Sequence, residues 1–503
     1  MKACLVLQRR FAYLGHELGV LLKEKHGIDE LCAYVHERDS FDFLRSQTDI
    51  PYTHLVLDED IQKKYRAEKL DIEFLESFER EYGNLWSYIS VDRVIRHGQL
   101  VREYPHDSSP YSYEEILRIV QVYAKELLAF IEKEKPDFIF AYQPGALGTL
   151  ILYAIAQKKG IPTLTIVPTV TRNRNVVSLR FDRMTWVEQS FAENLKKKPT
   201  EISNYEVAKA YIKEFRERPV VYSAVYSSLV KHGIWRQFDF LSPRNIRRSL
   251  RSLRGLWHDW RTKKEKRDDY TTIHPLWYLY DRTKRKLRNM FGLSDLYDTF
   301  DKNVPFVFFP LHFEPELSIL LLSPFDTNQK EMVKRLARSL PVGMYVYVKE
   351  HPQMAPFRPR RFYRELKKIP NVRLLRPEIT GFDVIRESRL VAIITGAAGW
   401  EATLLGKPVI TFGEVFYNAL PTVAHSRTPD ELPALVQKQI SSKSDDETLT
   451  RFVAALFEDS AECDLLHLWE FEHDPRKKRE GLRAFADLIG KKIPLVVARH
   501  HAR

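Results

Sequence analysis

Between Val391 and Phe412 the chain reads VAIITGAAGWEATLLGKPVITF, an order of residues that few folds accommodate. An apolar run, Val391 to Ile394, enters a turn of small residues, Gly396-Ala397-Ala398-Gly399. A helical segment carrying Glu401 follows, and a second apolar run extends from Pro408 to Phe412. Strand, glycine-bearing loop, helix and strand in this order describe a parallel βαβ crossover. The glycines let backbone N–H groups approach a ligand, and the helix N-terminus they open onto favours a phosphate or other anion. Glu401 in that helix is placed to accept hydrogen bonds from ribose hydroxyls. The same turn also occurs where glycine only lets a helix lie close on a sheet, so the remaining sequence has to decide between the two.

Alternation of the same kind runs through most of the chain. Strand candidates are Lys2 to Leu7, Leu31 to Val35, Asp137 to Tyr142 and Thr163 to Val167, with helical periodicity at Gly15 to Lys25 and Tyr113 to Lys133. From Val304 the pattern resumes with Phe306 to Phe309, Met344 to Val348, Val372 to Leu375, Val391 to Ile394 and Val409 to Phe412. At 503 residues the chain is too long for one core. The expected division is an α/β domain at 1–216, a basic amphipathic helical linker or insertion at 217–303, a second α/β domain at 304–440 and C-terminal helices at 441–503. In the last of these Phe452, Leu456, Leu465, Leu468 and Phe471 are the expected apolar anchors. Two such domains place a cleft at the carboxyl ends of their sheets, where ligands of these folds bind.

Charge narrows the partners. Of a formal net charge of +12, most lies in one segment, since residues 231–300 hold 17 Lys and Arg against 8 Asp and Glu. There Ser242-Pro243 opens a helix with Ile246, Leu250, Leu253, Trp257 and Trp260 on one face, and Arg247, Arg248, Arg251, Arg254 and Arg261 largely off it. A second helix, Leu276 to Met290, repeats the design before Gly292. Plain packing and attachment to an anionic membrane surface through Arg247, Arg251, Arg254, Trp257 and Trp260 both fit. Nucleic acid is not expected, because no nucleic-acid fold surrounds the segment. No apolar run is long enough to span a bilayer and no secretory h-region is present, while Cys4, Cys32 and Cys463 match no metal spacing. A cytoplasmic protein is expected.

Three loops of the second α/β domain follow strand ends. Phe309-Pro310-Leu311-His312-Phe313-Glu314-Pro315-Glu316 brings one imidazole and two carboxylates off a strand. Lys349-Glu350-His351-Pro352 sets a histidine at a fixed turn, with Lys349 available to offset phosphate charge. The Gly396–Glu401 turn is the third. Their convergence points to a nucleotide sugar or a similar phosphorylated ligand.

The succession FPLHFEPE, KEHP and TGAAGWEATLLGKPVITFG resembles bacterial capsule and surface-polysaccharide biosynthesis proteins, glycosyltransferases of the GT-B architecture with two Rossmann-like domains, a group that includes Kdo transferases. The resemblance covers about residues 304–425. It implies transfer of a sugar from a CMP- or UDP-linked donor to a growing, lipid-linked surface polysaccharide, with no cofactor and no metal, by a cytoplasmic protein peripheral on the inner face of the plasma membrane. The donor would be bound by Lys349, His351, Pro352, Gly396, Ala397, Ala398, Gly399 and Glu401, with His312 and Glu314 facing the reacting sugar or its leaving phosphate. Ala397 and Ala398 stand where relatives often carry hydroxyls. A UDP-N-acetylglucosamine 2-epimerase-like enzyme and a non-catalytic partner in capsule assembly would keep the same scaffold.

The first domain offers fewer candidates. Gly15-His16-Glu17 follows the first strand after a loop with Arg9 and Arg10, and reads as a helix start or, through His16 or Glu17, as the general base. Gln143 and Gly145 follow another strand on the acceptor side. Asp58-Glu59-Asp60 mimics a metal-binding Asp-x-Asp but reads as a solvated helix start.

Overall fold

The computed structural model describes residues 1–8, 11–97, 109–220, 242–262, 274–352, 354 and 357–501, so Arg9, Arg10 and parts of the 217–303 segment lie outside the described residues. The chain forms two compact units. The first comprises Met1–Ile95, Tyr111–Ala208 and Arg451–Arg503, and the second Arg96–Pro110 and Lys209–Thr450. Both are α/β, each built on a mostly parallel, Rossmann-like sheet.

Six strands of the first unit come early in the chain: β1 (Lys2–Leu7), β2 (Glu30–Val35), β3 (Tyr52–Leu57), β4 (Phe138–Tyr142), β5 (Thr163–Pro168) and β6 (Arg174–Ser178). β1 to β5 run parallel in the order β5-β4-β1-β2-β3. Residues 3–7 of β1 are buried, as expected of a strand covered on both faces. β6 turns back antiparallel to β5, and Ser460–Glu462, the last strand of the chain, adds antiparallel to β6. The Arg174 side chain fastens that late strand by donating to the Ser460 carbonyl at 2.8 Å, the Ser460 hydroxyl at 2.7 Å and the Phe457 carbonyl at 3.1 Å. The helix Pro475–His501 then lays Leu482, Phe485, Ile489 and Ile493 into the core shared with Leu5, Leu7 and Leu18. Of the expected C-terminal anchors, Phe452, Leu456, Leu465 and Leu468 are buried. Phe471 is a correction: it is 61 % exposed, because it caps the end of the short helix Leu465–Glu470, where its ring stacks on His467.

The second unit holds β7 (Phe306–Pro310), β8 (Tyr345–Lys349), β9 (Val372–Leu375), β10 (Leu390–Ile393), β11 (Val409–Thr411) and β12 (Val423–His425). All are parallel, in the order β12-β11-β10-β7-β8-β9. That is the doubly wound arrangement in which the chain order reverses between its first and fourth strands, here β7 and β10. Phe306, Phe308 and Phe309 anchor the central strand, and Phe306 stacks on Tyr347 of β8 at 4.3 Å. Burial on this scale is worth about 1.5–3 kcal/mol for each such side chain. The loops leaving β7 and β10 therefore emerge side by side from a rigid base, with the loop leaving β8 next to them.

Candidate functional site

His312 stands two residues beyond β7 and is held first by its backbone. The Gln329 side chain accepts from the His312 N–H at 2.7 Å and donates to its carbonyl at 3.3 Å, and the Arg358 guanidinium donates to the same carbonyl at 2.6 Å. The ring crosses the switch point, where its Nε2 accepts the Thr395 N–H at 3.4 Å. An accepting Nε2 leaves the proton on Nδ1, on the side of Gly396; a Cβ placed on Gly396 would lie 3.7 Å from that atom. Burial, helped by the nearby Arg358 and His351, pushes the imidazole down to about 3. His312 is thus a neutral hydrogen-bond donor throughout the physiological range, not a proton reservoir.

Arg358 ties the β7 and β8 loops together. Its side chain is fully buried between two carboxylates, Glu350 and Glu314, the latter at 3.3 Å. Glu350 also accepts the Tyr363 hydroxyl at 2.7 Å and the His351 N–H at 2.6 Å. A buried guanidinium is tolerated only with this kind of pairing. Sequence reasoning missed Arg358, since its only signal is an arginine between prolines in the run PFRP. Glu314 is therefore engaged in the wall of the site. His351 lies beside the Phe313 ring at 5.9 Å, and burial lowers its pKa below the ordinary imidazole value against the opposing pull of Glu350. Lys349 ends β8 nine-tenths buried, with no ion pair among the described residues, and burial lowers its pKa as well. Pro352 is half-buried in the turn beyond.

The third loop divides its glycines between two tasks. Gly396 has φ 97°, a conformation that favours glycine, and caps the helix Ala397–Leu404 with no side chain. Among the described residues no cap side chain accepts from the first N–H groups of that helix, and Gly396, Ala397 and Ala398 are only half-buried. Gly399 instead makes room for Tyr417: a Cβ there would meet Tyr417 Cζ at 2.8 Å and Ile393 Cγ2 at 3.0 Å. The Tyr417 hydroxyl passes this gap to donate to the Gly396 carbonyl at 2.8 Å. Glu401, one turn into the helix, is half-buried with no hydrogen bond or ion pair to its carboxyl among the described residues, and burial raises it to about 7. The Thr395 hydroxyl, fully buried just before the turn, likewise has no partner among the described residues.

In the first unit His16 and Glu17 lie inside the helix Phe11–His26, which starts four residues earlier than expected, and both are buried. His16 Nδ1 meets the Tyr52 hydroxyl at 3.0 Å, and Glu17 accepts from Arg479 Nε at 2.9 Å. Gln143 and Gly145 occupy the loop after β4, at that sheet's own switch point, where Gln8 Nε2 donates to the Gln143 carbonyl at 3.4 Å. Asp58 begins the helix Asp58–Lys63 as expected but is not solvated. It is buried under the hydroxyls of Tyr34 and of Tyr123, the latter at 2.9 Å, with His36 at 3.8 Å.

The basic segment forms the helices Pro243–Thr262 and Pro275–Phe291, the second ended by Gly292. Arg247, Arg251, Arg254 and Trp257 are exposed on the first, whereas Trp260 is half-buried with its ring 4.5 Å from His274. Among the described residues no helix is long and apolar enough to cross a membrane, and no group of three or more His, Cys, Asp or Glu could hold a metal ion.

Residues 261–432 match the family described as capsule polysaccharide biosynthesis protein. Protein FixF of Sinorhizobium fredii is 30% identical over 155 residues, which make up 30% of this chain and 37% of FixF. The chain thus matches well under half the length of that relative. Among solved structures, a KpsC β-Kdo 2,7 transferase of Thermosulfurimonas dismutans is similar at 14% identity and a TM-score of 0.31, over 71% of this chain and 88% of its own. The UDP-GlcNAc 2-epimerase of Methanocaldococcus jannaschii is similar at 12% identity and a TM-score of 0.23, over 91% of this chain and 100% of its own. The stretch that holds all three loops of the site is the one shared with the capsule polysaccharide biosynthesis family.

Proposed function

We propose that the chain is a glycosyltransferase moving a sugar from a CMP- or UDP-linked donor to a growing, lipid-linked surface polysaccharide. The observation that carries this reading is the convergence at the second unit's switch point. An uncapped helix N-terminus, a neutral imidazole, a buried lysine and an unpartnered carboxyl come from three loops at adjacent strand ends. The donor phosphate takes the first N–H groups of the helix Ala397–Leu404, Lys349 offsets its charge, and Glu401 accepts the ribose hydroxyls. His312 Nδ1–H and the neutral His351 donate to the oxygen that becomes the leaving phosphate, where fixed donors stabilise developing charge best. Gln143 and Gly145 are the acceptor-side residues in this reading. Independence from metal and a cytoplasmic, membrane-peripheral location belong to the same proposal.

The test begins with thermal unfolding in the presence of CMP or UDP. One of them raises the midpoint, by about 2.7 kcal/mol of stability at a hundredfold excess over Kd, and His351→Ala and Glu401→Ala lose the effect. With donor supplied, a transferase releases nucleotide only when acceptor is present, whereas an epimerase alters the sugar alone. No shift with either nucleotide, together with an unchanged surface glycan in cells carrying both variants, would overturn the reading.

A further inference from the structure

Among the described residues, the two basic helices carry several large apolar side chains that are exposed. On Pro275–Phe291 the residues Leu276, Tyr280, Leu287 and Phe291 recur at helical spacing and are all exposed, Leu276 to 60 % and Phe291 to 80 %. Trp277 beside them is 62 % exposed. On Pro243–Thr262 the residues Ile246, Leu250 and Trp257 form a matching exposed row, while Leu253, Leu256 and Trp260 are half-buried. A contiguous patch of large apolar side chains marks an interaction surface, where scattered ones would not.

Cations border both rows. Arg247, Arg251 and Arg254 are exposed and make no ion pair among the described residues, and Arg282 is exposed on the second helix. The described parts of the two helices contain only two acids, Asp259 and Asp281, and Asp281 is taken by Arg285. A second copy of this chain would bring like charges together. A nucleic acid would use the charges and leave Leu276, Leu287 and Phe291 in water.

We propose that this helix pair is a docking surface for an anionic lipid bilayer. The exposed apolar row enters the headgroup boundary, the arginines meet lipid phosphates, and Trp257, Trp277 and Tyr280 sit at the interface. The pair is rooted on the wall of the site: Arg288 donates to the Phe357 carbonyl, and Arg285 lies 4.5 Å over the Phe357 ring, itself 6.1 Å from Phe313. Docking therefore holds the β7 and β8 loops near the bilayer. The purpose of that placement, access to a lipid-linked acceptor, rests on the function proposed above; the binding does not.

The full-length protein is floated with vesicles of phosphatidylcholine, alone or mixed with phosphatidylglycerol. It binds the mixed vesicles only, and two double variants, Leu276→Ser with Phe291→Ser and Arg251→Glu with Arg254→Glu, each weaken binding about tenfold or more. Unchanged circular dichroism and melting show that the variants fold. Absence of binding to mixed vesicles, or binding by both variants as strong as that of the parent protein, overturns the proposal. So does a dimer in solution that the Leu276/Phe291 variant abolishes, or retention by duplex DNA that vesicles do not displace. Vesicle binding with no nucleotide shift and an unchanged surface glycan would leave the docking surface standing and remove the transferase reading.

Discussion

Glu401 shows how one carboxyl can report on its surroundings. In the unfolded chain a glutamate titrates near 4.3, whereas in the fold burial raises it to about 7. Between those values the folded state holds a proton that the unfolded state has released. The contribution of this group is therefore full below the lower value and falls as pH rises toward 7. Glu401→Gln removes the dependence, so the variant gains about 1–3 kcal/mol relative to the parent at pH 8 and nothing at pH 4. Urea denaturation at the two pH values measures the difference, and equal curves at pH 8 would refute the burial argument. At the same scale the sequence showed which residue types the three loops carry but not their ties. Glu314 reads as a free acid until Arg358, 44 residues later, is seen against it, because a pairing between loops leaves no trace in local spacing.

At the scale of elements, the alternation of apolar runs located most strands to within a residue, including β1 and β9, whose bounds are those expected. Among the described residues four strands escaped it. β3 is only partly buried and carries Thr53 and His54 among its apolar residues, β6 begins with two polar ones, β12 is three residues long, and Ser460–Glu462 has little apolar character. The turn at 396–399 illustrates the other limit. Both glycines resemble ligand-approach positions in sequence, yet Gly399 is occupied by Tyr417. Gly399→Ala should cost about 1–3 kcal/mol through overpacking against a buried ring. Adding Tyr417→Phe removes the nearest atom and should restore part of that loss, and a double-mutant cycle by chemical denaturation reads the coupling. Additive losses would show that Tyr417 is not what Gly399 accommodates.

For the whole molecule, the sequence divided the chain in linear order, and the fold does not follow that order. Residues 451–503 read as a helical appendage because their partners, Asn175, Arg174 and the helix Phe11–His26, lie hundreds of positions away. Phe485 is fully buried in the core built around β1, so Phe485→Ala should destabilise the first unit by about 3–5 kcal/mol. Phe471→Ala, at an exposed position, should stay within about 0.5 kcal/mol. Denaturant titration of both variants compares them, and similar losses would contradict this account of the core.

That late strand has a further consequence during synthesis. When β6 leaves the ribosome its outer edge has no neighbour, and every strand of the second unit is made before Ser460–Glu462 arrives to cover it. The second sheet can close while the first is still open along one side. An open edge is a template for pairing with other chains, so the nascent protein is most exposed to aggregation in the interval between β6 and residue 460. Pausing translation within that interval should lower the soluble yield more than pausing after it.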